Sequence, residues 1–306
     1  MNCLFSLLLT ASVVTASEPK ADFAFHETGP AGIQLSDGGR PVFVYDFGLV
    51  SSPVKGAVAR SCYLHPVYAP NGVLLSDDFN PDHPHHRGIS WMWPEVTVDG
   101  RKGDLWMVKG FQQRFVRWQA RETAGPTAKL AVENGWFDGD RKFVKEDVEI
   151  IVHGVEQSKG GDAQRQLDFT LRFEALDKPV EIVGTSEGKK GFGGFCFRFA
   201  PRDGGTAKTV IRTEKGLSPK DAVLGKHRWA EVAGTFHGQP AWGRIDDLEG
   251  NPGFPHNGWL LRHGFGFLNV SYPGLTPLVL QPGKPLELKY RVTLGAGEGK
   301  SAGSSD

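Results

Sequence analysis

Apolar and polar residues alternate over short stretches along most of this chain. The clearest case is Gln166-Leu167-Asp168-Phe169-Thr170-Leu171-Arg172-Phe173-Glu174-Ala175, where every second side chain is apolar. A period of two places the apolar set on one face of an extended strand and the polar set on the other. Leu286, Leu288, Tyr290, Val292 and Leu294 repeat the pattern, with Glu287, Lys289, Arg291 and Thr293 between them. Phe195, Phe197 and Phe199 share one face of another strand, after the glycine-rich turn at 191–194. Further β-rich runs lie at 41–45, 61–68, 88–93, 106–121, 130–137, 143–155, 265–270 and 277–280, bounded by Gly, Pro and Asn. Helical periodicity is nearly absent, and only 219–225 is expected to make a short turn of helix. The pattern predicts an all-β chain: a large antiparallel β-sandwich running as a single domain from 23 to 297. The Gly/Ser-rich tail at 298–306 is expected to be disordered.

Composition agrees and narrows the partners. The 306 residues include 40 Gly and 20 Pro, which suits a turn-rich β protein. With 35 basic and 35 acidic side chains the formal net charge is zero, so nothing draws the chain to nucleic acid or to an anionic membrane. Residues 1–16 read as a signal peptide: an apolar run closed by Val14-Thr15-Ala16, too short to span a bilayer. A secreted or periplasmic protein is expected, with no integral membrane segment in the mature chain. That chain keeps Cys62 and Cys196, either as one disulfide or as two buried free thiols.

Chemistry concentrates at residues 77–88, Asp77-Asp78-Phe79-Asn80-Pro81-Asp82-His83-Pro84-His85-His86-Arg87-Gly88. Three of the ten histidines fall here within four residues, beside three aspartates and one arginine. Two prolines exclude a central strand, so the stretch is expected to be a stiff loop on the sandwich. His85 or His86 is the candidate proton-transfer group near neutral pH. Arg87 is the candidate to hold a substrate oxygen through its planar fork, with His83 and Asp82 beside it and Trp91 offering an aromatic face. A metal ion on the histidine cluster is the alternative, since neutral imidazole is a common ligand. His-Pro-His-His lacks the helical i, i+4 spacing of a zinc protease, however, and no cofactor is assigned.

Two distant stretches are candidates to join this loop. Thr185-Ser186-Glu187-Gly188 lies between strands, and Glu187 is the candidate opposing carboxylate, with a solvated turn as its plainer reading. Arg198 points to the face opposite the phenylalanines. A long ordered loop is expected at 242–256, fixed by Asn251-Pro252 and Phe254-Pro255, with His256 and then Arg262 reaching the same cleft. No Gly-x-Ser-x-Gly elbow, Walker A sequence or dinucleotide fingerprint occurs, which disfavours serine hydrolysis and nucleotide chemistry.

Asp82-His83-Pro84-His85-His86-Arg87-Gly88 resembles the hallmark of the PmoA-like family, which carries a methane oxygenase label. The similarity extends through Glu187-Gly188 and Arg198, the 246–255 loop, Trp259, Arg262 and the Pro282-Gly283 turn, and so covers most of the mature chain. It departs at 91–100, where the family tends to a His- and Asn-Gly-bearing segment and this chain has Trp-Met-Trp-Pro-Glu. The membrane subunits of methane monooxygenase are bundles of apolar helices, and this sequence has none, so a genuine methane monooxygenase is not expected. The family's β-rich chain also resembles galactose-mutarotase-like supersandwiches, which act on or bind carbohydrates with a histidine and a carboxylate. That resemblance implies a saccharide or other small-molecule ligand. The expected activity is acid/base chemistry on a sugar as an isomerase, lyase or hydrolase, with non-catalytic carbohydrate binding or a metal-dependent enzyme as alternatives.

Overall fold

The structure, a computed structural model, describes residues 21–51, 54–157, 162–255 and 258–299. The expected signal peptide and His256 lie outside them, as does the tail from 300 onward.

The chain is all-β, with two large antiparallel sheets packed face to face as a sandwich. One sheet runs, edge to edge, Phe23–Glu27, Gly32–Asp37, Arg40–Asp46, Tyr63–Val67, Ile89–Met92, Gly194–Arg198, Phe267–Ser271, Gly258–Arg262 and Ala222–Lys226. The other runs Gly216–Leu217, Val210–Thr213, Trp229–Phe236, Gln239–Asp247, Leu286–Ala296, Ala163–Ala175, Arg141–His153, Thr127–Asp138 and Gln112–Ala124. A small sheet orders Leu278–Leu280, Val180–Val183, Glu95–Val98 and Arg101–Gly103.

The alternating strands sit as their periodicity demands. Phe169 pairs in register with Tyr290, and Leu171 with Leu288, so one face of the second sheet is continuously apolar. Its solvent face carries polar partners instead, among them Arg291 Nε donating to Asp168 Oδ1 at 2.6 Å. Across the sandwich Phe195 stacks on Tyr290 at 4.5 Å and meets Phe169 edge-on at 5.1 Å. Glu146 is fully buried at this core and accepts from Trp91 Nε1, Gln113 Nε2, Asn134 Nδ2 and Trp136 Nε1 at 2.6–2.9 Å. Burial is the largest influence on that carboxyl and raises its pKa against the opposing pull of the four donors.

Three expectations need correction here. Residues 106–111 form turns rather than strand, because Asp104 and Lys109 close a tight loop with reciprocal 2.8 Å backbone hydrogen bonds. The stretch expected to turn as a helix at 219–225 contributes to the edge strand Ala222–Lys226, paired to Gly258–Arg262. Residues 242–247 belong to the strand Gln239–Asp247, which leaves the loop to begin at 248. Cys62 and Cys196 are buried free thiols, with Cys196 beside the Ser90 hydroxyl at 3.2 Å.

The first sheet is unusual in being buried on both faces at its centre: every residue of Ile89–Met92, Gly194–Arg198 and Phe267–Ser271 is buried. Residues directly opposite in antiparallel register share a face. Arg198 is opposite Phe267, and Phe267 is opposite Arg262, so these three form a row on the face away from the core. The loops at 76–88 and 104–111 fold over that row and make the site.

Candidate functional site

The 77–88 loop is held by its ends, by Arg87 from within and by Arg198 through Asp77 and Asp82. Asp77 N donates to the Arg198 carbonyl at 3.1 Å, Arg198 N to the Gly88 carbonyl at 2.8 Å, and Gly88 N to the Asp77 carbonyl at 2.9 Å. His83 N donates to the Asn80 carbonyl and His86 N to the His83 carbonyl, winding the prolines' segment into successive turns. Arg87, buried at 1% exposure, ties the interior together. Its Nη2 donates to the Val58 carbonyl at 2.5 Å, its Nη1 to Tyr63 at 3.4 Å and its Nε to the Pro84 carbonyl at 3.3 Å. Asp78 Oδ1 lies 3.1 Å from that Nε as an ion pair without hydrogen-bond alignment, and the Phe79 ring covers the guanidinium at 3.5 Å. The expectation that Arg87 orients a substrate is therefore corrected: its donors are directed into the fold. Trp91 is likewise a core residue at 0% exposure, its indole nitrogen on Glu146 and its ring against Phe169 and Phe195.

The three imidazoles face a cavity of about 480 Å³. His83, His85 and His86 line it together with Asp104, Trp106, Met107 and Lys109 from the tight loop. Thr185, Glu187, Lys190 and Phe192 come from the turn at 185–192, and Leu260, Arg262 and Phe265 complete the wall. Glu187 and Arg262, distant in sequence, thus reach the histidine loop. Arg198 lines a smaller neighbouring hollow, and the loop at 248–255 is absent from both linings. Asn251 ties that loop to the sandwich instead, donating to Asp247 Oδ1 at 2.7 Å and accepting from Lys289 N at 2.7 Å.

His86 stacks on Phe267 at 4.4 Å and 10°, with Trp106 edge-on at 5.7 Å. His85 sits against His86 at 4.5 Å, and His83 packs on Phe265 at 4.3 Å. Burial is the first cause that lowers the pKa of His85, to about 4, followed by the neighbouring His83 and by Arg60 and Arg198. Burial and the adjoining His85 push His86 well below the usual imidazole value. Both imidazoles are neutral at pH 7. The planes of His83 and His86 lie 10° apart with centroids separated by 4.8 Å. Nitrogen lone pairs lie in the ring plane, so those of two stacked rings run side by side and do not meet on one ion. Among the described residues no three His, Cys, Asp or Glu side chains are arranged to hold a metal.

The carboxylates differ. The Glu187 side chain is 79% exposed and pairs with Lys190 at 3.4 Å, which places it on the cavity rim. Asp104 is half-buried, and desolvation raises its pKa in spite of backbone donors from Met107, at 2.8 Å, and Trp106. Sequence reasoning missed Asp104: an Asp before Leu-Trp carries no motif, and only the reciprocal bonds of the Asp104–Lys109 turn bring it to the histidines. The nitrogens Trp106 Nε1 and His86 Nδ1 are buried without a hydrogen-bond partner. Such groups are costly unless a ligand or water satisfies them.

A family model described as "Family of unknown function (DUF6807)" matches residues 32–304. The match gives no support to the PmoA-like label that the histidine motif led us to expect. No curated protein matches the chain. Among solved structures, it is similar to a variant of the GH36 alpha-galactosidase AgaA from Geobacillus stearothermophilus in complex with raffinose, at 11% identity and TM-score 0.43, over 91% of this chain and 40% of that one. AgaB from the same organism gives 8% identity and TM-score 0.44, over 91% and 39%. A galactose mutarotase related enzyme from Lactobacillus acidophilus gives 10% identity and TM-score 0.38, over 92% and 100%. The chain spans about two-fifths of the length of the two galactosidases. Similarities this distant say nothing of its chemistry.

Proposed function

The chain belongs to the DUF6807 family, a family of unknown function, and from that premise we propose that it acts on a sugar or sugar derivative by general acid/base chemistry in the histidine cavity. One observation carries the reading: a single cavity gathers two neutral imidazoles, a carboxyl of raised pKa and several aromatic faces. Acid/base work on a polyol needs a group that takes a proton and a group that returns one, with pKa values set apart by their surroundings. His85 is the proton acceptor. It is half-exposed, and its low pKa makes it a weak base that is nevertheless unprotonated throughout the neutral range. His86, stacked between His83 and Phe267, positions it. Asp104 opposes it as the carboxyl partner. Glu187 and Arg262 act from the wall, and Trp106, Phe192 and Phe265 supply apolar surface for a sugar ring.

The test is a saccharide panel followed by NMR for turnover and by calorimetry for binding. Where turnover is found, His85→Ala and Asp104→Asn should each lower it by about 10²-fold or more. Unchanged turnover in both variants refutes the assigned roles, and a panel with neither binding nor turnover refutes the substrate class. Binding without turnover supports the second reading, a carbohydrate-binding protein, which the unpartnered Trp106 Nε1 on the aromatic wall favours. Stoichiometric metal in protein purified without a His tag would restore the metal-dependent alternative.

A further inference from the structure

Beside the histidine cavity lies a smaller hollow of about 110 Å³, walled by Asn80, Asp82, Arg198, Arg202, Gly264 and Phe265. Phe265 lines both spaces, with His83 against its ring at 4.3 Å and the Arg198 guanidinium over it at 4.8 Å. Two arginines are buried here, Arg198 at 2% and Arg202 at 5% exposure. Arg202 is held by neutral oxygens alone: Thr209 Oγ1 at 2.9 Å and the carbonyls of Ala200, His263 and Gly264 at 2.7–3.3 Å. Among the described residues no carboxylate lies within ion-pair distance of it, so its charge is compensated only from afar. Arg198 Nη1 is buried with no hydrogen-bond partner. A guanidinium donor left unmade inside a protein is a place for an acceptor to bind.

The two carboxylates on Arg198 are not alike. Asp77 accepts at 3.3 Å from Nε and is fixed in turn by Asn80 Nδ2 at 2.9 Å. Asp82 straddles Nη2 at 2.9 and 3.1 Å, yet its side chain is 41% exposed. Asp82, which also lies 3.4 Å from His83 Nδ1, borders solvent and can exchange its contact with Arg198 for water, whereas Asp77 is largely enclosed. With Asp82 in place the charges of Arg198, Arg202, Asp77 and Asp82 cancel. With Asp82 displaced, the hollow holds one net positive charge among buried donors. We propose that this hollow is a subsite for a compact oxyanion substituent, a carboxylate, sulfate or phosphate, on the ligand whose ring occupies the histidine cavity. In the free protein Asp82 occupies the place of that group on Arg198, and the ligand exchanges with it. The substrate class is then an acidic sugar rather than a neutral one. This rests on the sugar reading above for the ring, though not for the oxyanion.

Calorimetry separates the two. Inorganic sulfate and acetate probe the hollow alone, and glucose, glucuronate, glucose 6-sulfate and glucose 6-phosphate probe ring and anion together. Sulfate or acetate should bind the wild type weakly and should not bind Arg202→Gln. Asp82→Asn should tighten either by about tenfold, the effect of one charge-assisted contact freed from an internal competitor. A merely structural Asp82 would leave oxyanion affinity unchanged or reduce it. At least one acidic sugar should bind better than glucose, and the preferred one identifies the group. Anion binding by the hollow with no affinity for any sugar sustains the subsite and sinks the sugar reading. Glucose binding as well as all three acidic sugars, with Asp82→Asn without effect on sulfate or acetate, overturns the subsite and leaves the sugar reading standing.

Discussion

Gly88 ends the histidine motif, and its substitution by alanine isolates what that glycine does. Its φ is +33°, in the region L side chains rarely adopt. A Cβ added there overlaps the Leu64 carbonyl oxygen, with the Leu64 carbonyl carbon at 3.0 Å and His65 Cβ at 3.1 Å. Leu64 is the residue through which Tyr63–Val67 pairs with Ile89–Met92, so neither backbone can yield without loosening the sheet beneath the loop. The conformational penalty is about 1–2 kcal/mol, and relieving the overlap adds about 1–3 kcal/mol. Gly88→Ala should therefore lose about 2–5 kcal/mol in urea unfolding followed by tryptophan fluorescence. Gly72→Ala is the control. Gly72 has φ +85° with nothing within 4 Å of an added Cβ, so it carries the conformational penalty without the overlap. Equal losses in the two variants, or a loss under about 1 kcal/mol for Gly88→Ala, would show that close approach to Leu64 is not why a glycine stands there.

Asp46 and Asp78 share Arg87; burial and then Asp78 raise the pKa of Asp46 to about 8, while burial raises Asp78 to about 6 in spite of Arg87. Both folded-state values exceed the unfolded carboxyl value of about 4, so their stabilising contribution is complete below about pH 4 and is lost as pH rises through 6 and 8. Urea midpoints from pH 4.5 to 8.5 should fall with rising pH, and Asp46→Asn should flatten the upper part of that decline; an unchanged slope in the variant refutes the assignment. Histidine NMR should find His85 unprotonated down to about pH 4, whereas a midpoint near the ordinary imidazole value would mean that its surroundings are wet. Glu146→Leu orphans four buried donors and should cost about 4 kcal/mol or more in the same unfolding assay, and a loss below about 1 kcal/mol would show that the core repacks around them.

The strands were legible because alternation is a local property: Gln166 to Ala175 and Leu286 to Leu294 carry their burial pattern in their spelling. Trp91 could have been placed as well. Trp91 and Trp93 are two apart, so they share a face, and two adjacent indoles on one face of a strand belong in a core. The histidine loop was legible as a candidate site because three imidazoles, two prolines and a glycine in one window have few structural uses. Which of its residues build and which present chemistry was not legible. Arg87 turns inward because the Val58 carbonyl and Tyr63 hydroxyl, far away in sequence, take up its donors. Asp104 enters the site because its turn folds over the same sheet face. Glu187 reaches the wall but stays at its wet edge. Such outcomes depend on long-range register, which no window of sequence contains.

The frame of the 77–88 loop draws on backbone bonds, Gly88, the Arg87–Asp78 pair and the contacts of Asp77 and Asp82 with Arg198, and among the imidazole nitrogens only His83 Nδ1, 3.4 Å from Asp82, adds to it. Three positions within four residues therefore look into one cavity from a support that depends little on their chemistry. Residues 83, 85 and 86 are in effect a replaceable cartridge. Other acids, bases or ligands could be installed there by substitution, provided that the packing of His86 on Phe267 and of His83 on Phe265 is reproduced. A new activity on this scaffold is then a matter of three side chains rather than of a new fold.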